Sequence, residues 1–189
     1  METILRLVIL SIALGPLDDF AASPALAAAP TSGAPAEAAT EGGGGASAPA
    51  ILRADGDWRA ARWGMSVEEV LAAFPGEAFR IDPPVRLADG NVVAVGIDGH
   101  AVGRHVFRVR FVFEAGKLAL VSLRTPPDVH AGPDVFTSLR SLLAQRLGGA
   151  GESTADDAFI DMRQTRWKSG RTTVDLKYIP GVVVILYHP

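Results

Sequence analysis

Four histidines, His100, His105, His130 and His188, are the only imidazoles this chain can offer for proton transfer or metal ligation. His100 and His105 stand five residues apart across an expected turn. They lack the H-x-x-x-H spacing that puts two ring nitrogens on one side of a helix. The chain has no cysteine, which removes thiolate metal sites, a cysteine nucleophile, disulfides and a lipid-modified N-terminal cysteine. The histidines therefore read as exposed loop residues, His188 lying in a fraying C-terminus, and no metal is expected. Among the carboxylates, Asp156, Asp157 and Asp161 gather near Glu152 without the alternation and turn glycine of a calcium loop. They read as a solvated loop. Glu68 and Glu69 are adjacent, but Glu69 falls at the position of a capping-box acceptor and Glu68 complements a helix dipole.

Nucleophile and phosphate motifs are equally absent. Ser138 and Ser141 fall in an expected helix with no G-x-S-x-G elbow. Gly42-Gly43-Gly44-Gly45 is not followed by Lys-Ser/Thr, and no G-x-G-x-x-G follows a strand. No cofactor is expected, and no enzyme is announced by any local motif. A catalytic or small-ligand site would have to assemble from distant residues such as His100, His105 and Asp175. The remaining chemistry is that of an interface. Arg104, Arg108, Arg110 and Arg124 belong to one expected hairpin, while Arg163, Arg166, Lys168, Arg171 and Lys177 decorate a second meander. Arginine and tryptophan are enriched at binding hot spots. Trp58, Trp63, Arg108 and Arg110 are accordingly the candidate partner-binding residues, weighed against plain solvation of a polar face.

The 189 residues suffice for one ordinary domain, with 18 Lys+Arg against 21 Asp+Glu. A nucleic-acid-binding protein would carry a basic excess, so none is expected. Residues 4–14 form an apolar run interrupted by Arg6 and Ser11. It is shorter than the about 20 helical residues needed to cross a hydrocarbon core. With Ala25-Leu26-Ala27 behind it, the run reads as a secretory signal over residues 1–29, cut after Ala27 or Ala29. Its removal leaves 17 basic and 18 acidic side chains, too balanced to steer a polyanion. Residues 30–54 begin with Ala, Gly, Pro, Ser, Thr and Glu alone through residue 50. Such a composition reads as a flexible tether. The folded part is expected from residue 55 to residue 189.

Periodicity supplies the elements that must position any site. Ser66-Val67-Glu68-Glu69 is a capping box, and Val67, Val70, Leu71 and Phe74 form the apolar stripe of a short helix ended by Pro75-Gly76. Trp58 and Trp63 flank its start, Trp63 as a staple onto the core. A strand is expected over Asn91–Ile97, with Asp98-Gly99 as the turn. From Val106, Phe107, Val109, Phe111 and Phe113 alternate with Arg108 and Arg110, which predicts one packed face and one wet face. Glu114-Ala115-Gly116 turns the chain into a strand over Lys117–Arg124. A second helix starts near Pro133-Asp134, buries Val135, Phe136, Leu139, Leu142, Leu143 and Leu147, and stops at Gly148-Gly149. Residues 149–158 read as a loop. Strands follow at about 162–168, 171–178 and 182–188, with Val182–Tyr187 apolar enough to be central. The order α-β-β-β-α-β-β-β predicts an α+β domain, a two-layer antiparallel sheet with helices on one face and a duplicated pattern.

Trp63-Gly64-Met65-Ser66-Val67-Glu68-Glu69-Val70-Leu71 resembles a recurrent G-M-[ST]-x-x-E-V opening of small exported bacterial proteins. Phe111-Val112-Phe113-Glu114-Ala115-Gly116-Lys117-Leu118 resembles their F-x-F-x-x-G-x-L hairpin. Such helix-plus-meander units occur in the outer-membrane assembly component BamE (SmpA/OmlA) and in β-lactamase inhibitor proteins, the tandem order being closer to the latter. The chain departs from both in lacking the lipidated or disulfide cysteines. The resemblance implies a non-catalytic protein-binding domain of the bacterial cell envelope, periplasmic or secreted, whose partner is an envelope protein. Two alternatives stand beside it: an enzyme or small-ligand carrier with a dispersed site, and an exported structural domain without a specific partner.

Overall fold

Helix α1, Val67–Ala73, begins where its capping box demands. The Glu69 amide donates to Ser66 Oγ and the Ser66 amide donates to Glu69 Oε2 at 2.7 Å. These two bonds satisfy donors that the first helical turn cannot pair internally. The computed structural model describes residues 57–154 and 161–189. The expected signal (1–29) and tether (30–54), and Asp156 and Asp157 of the acidic group, lie outside the described residues. Just ahead of α1, the Gly64 amide donates to the Leu118 carbonyl and the Leu118 amide to the Met65 carbonyl. The helix start is thereby tied to the hairpin strand it covers.

Four strands follow: β1 (Phe79–Arg86), β2 (Val92–Val102), β3 (His105–Glu114) and β4 (Lys117–Arg124). Helix α2 (Pro133–Leu147) comes next, then β5 (Glu152–Thr154), β6 (Arg163–Ser169), β7 (Thr172–Ile179) and β8 (Val182–His188). All eight strands form one antiparallel sheet in the order β1-β2-β3-β4-β8-β7-β6-β5. The α+β architecture expected from the sequence is present, with β8 central between β4 and β7, as its apolar run implies. The expected count of three strands after each helix is corrected to four. In β1, Pro83 and Pro84 are tolerated because the strand occupies a sheet edge, where a missing amide donor costs nothing. It pairs with β2 at its two ends, with a register shift between Arg80 and Val85, and the Asp82–Pro83 bond is cis. At the other edge β5 occupies three residues of the expected loop.

A second correction concerns Asp98-Gly99. It does not turn the chain but forms a bulge: the register shifts between Ile97 and His100, with Gly99 at φ 74°. The β2 strand continues to Val102, and the turn comes at Gly103-Arg104. The β3–β4 hairpin closes through Ala115 (φ 48°) and Gly116 (φ 77°), the left-handed pair of a tight two-residue turn.

The alternation in β3 holds. Phe107, Val109, Phe111 and Phe113 are buried in one cluster with Val70 of α1, Phe74 at its C-cap and Phe136, Leu139 and Leu143 of α2. Trp58 stands at its centre, 1% exposed, with ring centroids 5.6 Å from Phe111, 5.8 Å from Phe74 and 6.3 Å from Tyr187. Tilted and edge-on contacts of this kind add to the burial of large rings. The opposite face is not the wet face expected. Val93, Val112, Leu120, Val184 and Leu186 form a second buried cluster there, to which neither helix contributes.

Trp63 acts as the expected staple. It is half-buried against the main cluster, and its Nε1 donates to Thr172 Oγ1 of β7 at 2.8 Å. Tyr187, in contrast, buries its hydroxyl with no hydrogen-bond partner among the described residues. Removing a made bond and removing an unmade one have opposite consequences. Trp63→Phe is expected to destabilise the domain by about 1 kcal/mol or more, whereas Tyr187→Phe is neutral or stabilising by up to about 1 kcal/mol. Urea unfolding of the two variants against the wild type checks the contrast.

Candidate functional site

Register places the chemistry-bearing residues of the second sheet face in rows. One row runs from Phe79 through Gly96, Arg110, Ser122, Leu186, Asp175 and Arg166 to Glu152. A neighbouring row holds Arg108, Arg124, Val184, Lys177 and Gln164. Side chains along such a row stand about 5 Å apart strand to strand, so each group is set against its neighbours.

At the β1 end, Gly96 lets a ring lie on the backbone. A Cβ at this position would come within 2.8 Å of the Phe79 ring and of the Arg110 guanidinium. The Arg110 guanidinium sits 5.6 Å from the Phe79 ring centroid and donates to Asp98 Oδ1 at 2.9 Å. Stacking and ion pairing together hold this arginine in one place. Phe79 remains 41% exposed, one of the few large apolar side chains left at the surface among the described residues.

In mid-sheet, Asp175 is fully buried and accepts from Arg166 Nε at 2.7 Å, Arg166 Nη2 at 3.0 Å and Gln164 Nε2 at 3.2 Å. His188 Nε2 lies 3.2 Å from its second oxygen. Desolvation pushes this carboxyl up, but the hydrogen bonds from His188 and Arg166 and the charge of Arg166 outweigh it and hold Asp175 at about 2. His188, expected to fray, is instead buried in β8, because its strand is internal and its ring has a carboxylate to meet.

The pair Arg108 and Arg124 differs from both groups. The two residues are direct cross-strand partners, each half-buried. Neither makes an ion pair or side-chain hydrogen bond with any described residue.

The four expected binding residues are thus separated by the fold. Arg108 and Arg110 share the second face. Trp63 is committed to Thr172 on the helix side. Trp58 is corrected from a surface position to a core one, since its ring fills the space among Phe74, Phe111 and Tyr187. The dispersed site imagined from His100, His105 and Asp175 does not assemble. His100 packs edge-on against Trp58 at 5.4 Å and His105 Nε2 contacts Ser138 Oγ of α2 at 3.3 Å, both on the helix side. Asp175 lies in the row with Leu186 on the other face.

Burial lowers the basicity of both histidines, with Arg59 adding to it at His100 and Arg104 at His105. The second ring nitrogen of His105 has no hydrogen-bond partner among the described residues, so nothing orients it as a base for Ser138. No group of three or more His, Asp or Glu suited to a metal occurs among the described residues. Of the carboxylates considered for chemistry, Glu68 pairs with Arg80 at 2.9 Å and Asp161 with Arg163 at 3.2 Å.

Sequence reasoning missed Phe79, Arg124's pairing and the role of His188. The available signal was Gly96 inside a strand pattern, which marks a close approach by another group. No family model, curated protein or solved structure matches the chain.

Asp175 generates a pH prediction. Its folded value lies below its ordinary 3.8, so its contribution is present above about pH 4 and disappears as pH falls through about 2. A shift of this size corresponds to about 2 kcal/mol. Wild-type stability measured by denaturant unfolding from pH 5 to pH 2 is expected to fall by about that much more than that of Asp175→Asn. Parallel acid limbs in the two proteins would remove the assignment.

Proposed function

We propose that this chain is an exported, non-catalytic protein-binding domain of a bacterial cell envelope, working in the periplasm or beyond it. The binding surface is the second sheet face around Phe79, Arg108, Arg110 and Arg124, with Trp63 contributing rigidity rather than contact. One observation carries the reading. An exposed aromatic ring is stacked under a fixed arginine at the edge of a face that also holds Arg108 and Arg124, which have no ion-pair or side-chain hydrogen-bond partner among the described residues. Aromatic side chains and arginine are enriched at protein interfaces, and arginine is frequent among their hot spots.

The occurrence of helix-then-four-strands twice in the chain supports a duplicated unit whose final strands, β4 and β8, meet at the sheet centre. The apolar run at residues 4–14 with its A-x-A stretch supports export. No described helix is long and apolar enough to cross a membrane.

The test has two parts. Expression of the full-length gene in a Gram-negative host, followed by fractionation and intact-mass measurement, is expected to yield a periplasmic product cut after Ala27 or Ala29. Arg108→Ser with Arg110→Ser is expected to leave the circular dichroism spectrum intact and to abolish retention of an envelope protein that the wild type retains. An uncut cytosolic product, or unchanged retention, defeats the reading.

A further inference from the structure

Two guanidinium groups placed directly opposite each other on adjacent strands repel. Folded proteins ordinarily separate such a pair or insert a carboxylate between its members. Here the register sets the two backbones directly opposite each other: Arg108 and Arg124 are cross-strand partners, with Val109↔Leu123 and Arg110↔Ser122 continuing the ladder on one side. Two carboxylates carried by β2 and β7 are engaged elsewhere. Asp98 is held by Arg110, and Asp175 by Arg166, Gln164 and His188. The pair is therefore a local excess of two positive charges in a chain that is otherwise balanced. It sits beside the stacked Phe79 and Arg110 and against buried Val184.

We propose that Arg108 and Arg124 form a clamp for a single carboxylate, an Asp or Glu side chain of a partner protein whose neighbouring apolar residue rests on Phe79. This assignment rests on the reading of the second face as the binding surface and names what that surface takes. A carboxylate bridging two guanidiniums receives charge-assisted hydrogen bonds from both and cancels their repulsion. The half-buried setting strengthens that attraction relative to water. The near-neutral balance of the chain without residues 1–29 gives no long-range field for a polyanion. The complementary partner is thus one well-placed acid in an apolar context, not a phosphate backbone.

The clamp is tested on the full chain by following arginine Nε–Hε resonances during titration with two synthetic peptides. One is acetyl-Leu-Glu-Leu-Glu-Leu-amide and the other carries Gln in place of both Glu residues. The Glu peptide is expected to shift the Arg108 and Arg124 resonances saturably, with an affinity at least tenfold above the Gln peptide. In Arg124→Ser the Arg108 shift is expected to vanish.

Arg124→Glu supplies a second measurement. It replaces the like-charged pair by an opposite-charged one, so the midpoint of thermal unfolding rises while the Glu peptide no longer binds. Equal response to the two peptides, no response at Arg108 and Arg124, or a lowered unfolding midpoint in Arg124→Glu each overturns the clamp. The broader surface is judged apart from it: Phe79→Ser abolishing retention of an envelope protein, with Arg124→Ser retaining it, would leave the surface standing without the clamp.

Discussion

Four ladder pairs between β4 and β8, from Val121↔Tyr187 to Arg124↔Val184, join the two halves of the sheet. The strands they connect are separated by about sixty residues of chain containing α2 and three other strands, so their closure is the costly, non-local step of this fold. Thr125 continues the seam: its amide donates to the Val183 carbonyl, and its hydroxyl accepts from the Val183 amide at 3.2 Å. Because side chains alternate with a period of two, a slip of one residue here would exchange the faces of the whole second half. Tyr187 would leave Trp58, and Leu186 and Asp175 would leave the row that holds Arg110 and Ser122. The core on one side and the arrangement of charges on the other depend on one register.

The two faces solve different problems. The helix side buries large rings and aliphatic chains, and its polar atoms are few and placed. Trp63 reaches Thr172, and Trp167 Nε1 donates to the Gly149 carbonyl at 2.8 Å. The other side mixes a buried aliphatic cluster with ionised groups, a combination that is costly unless every charge is met. Asp175 meets that requirement through Arg166, Gln164 and His188. Arg110 meets it through Asp98 and the ring of Phe79. Arg108 and Arg124 find no such partner among the described residues, and register sets their backbones directly opposite each other. Natural sequences accept such locally unfavourable arrangements where an interaction with something else repays them.

Local signals were legible where one physical cause acted alone. The Ser66–Glu69 capping box, the stop at Gly148 (φ 81°) and the Ala115-Gly116 turn each follow from backbone donors or left-handed conformation within a few residues. Alternation from Phe107 to Phe113 identified one face correctly. The reading failed where a residue type carries two meanings. Asp98-Gly99 suits a turn and a bulge equally, and only the length of the facing β3 strand decides between them.

The candidate site was half visible. Arg108 and Arg110 could be named from spacing in one strand. Arg124 could be grouped with them on one hairpin, but its direct pairing with Arg108, the Phe79 contact and the Asp175–His188 contact could not, because each depends on cross-strand register, which spacing within one strand does not fix. By itself, then, the sequence determined both described helices and six of the eight described strands, the alternation of faces within β3, and the absence of cysteine chemistry, since these depend on interactions across a few residues. Only the tertiary structure decided that β8 inserts beside β4, that Trp58 lies inside, and that Arg108 and Arg124 fall directly opposite each other in the register. Those outcomes depend on which distant backbone donors find which acceptors, and a one-dimensional pattern of residue types does not contain that choice.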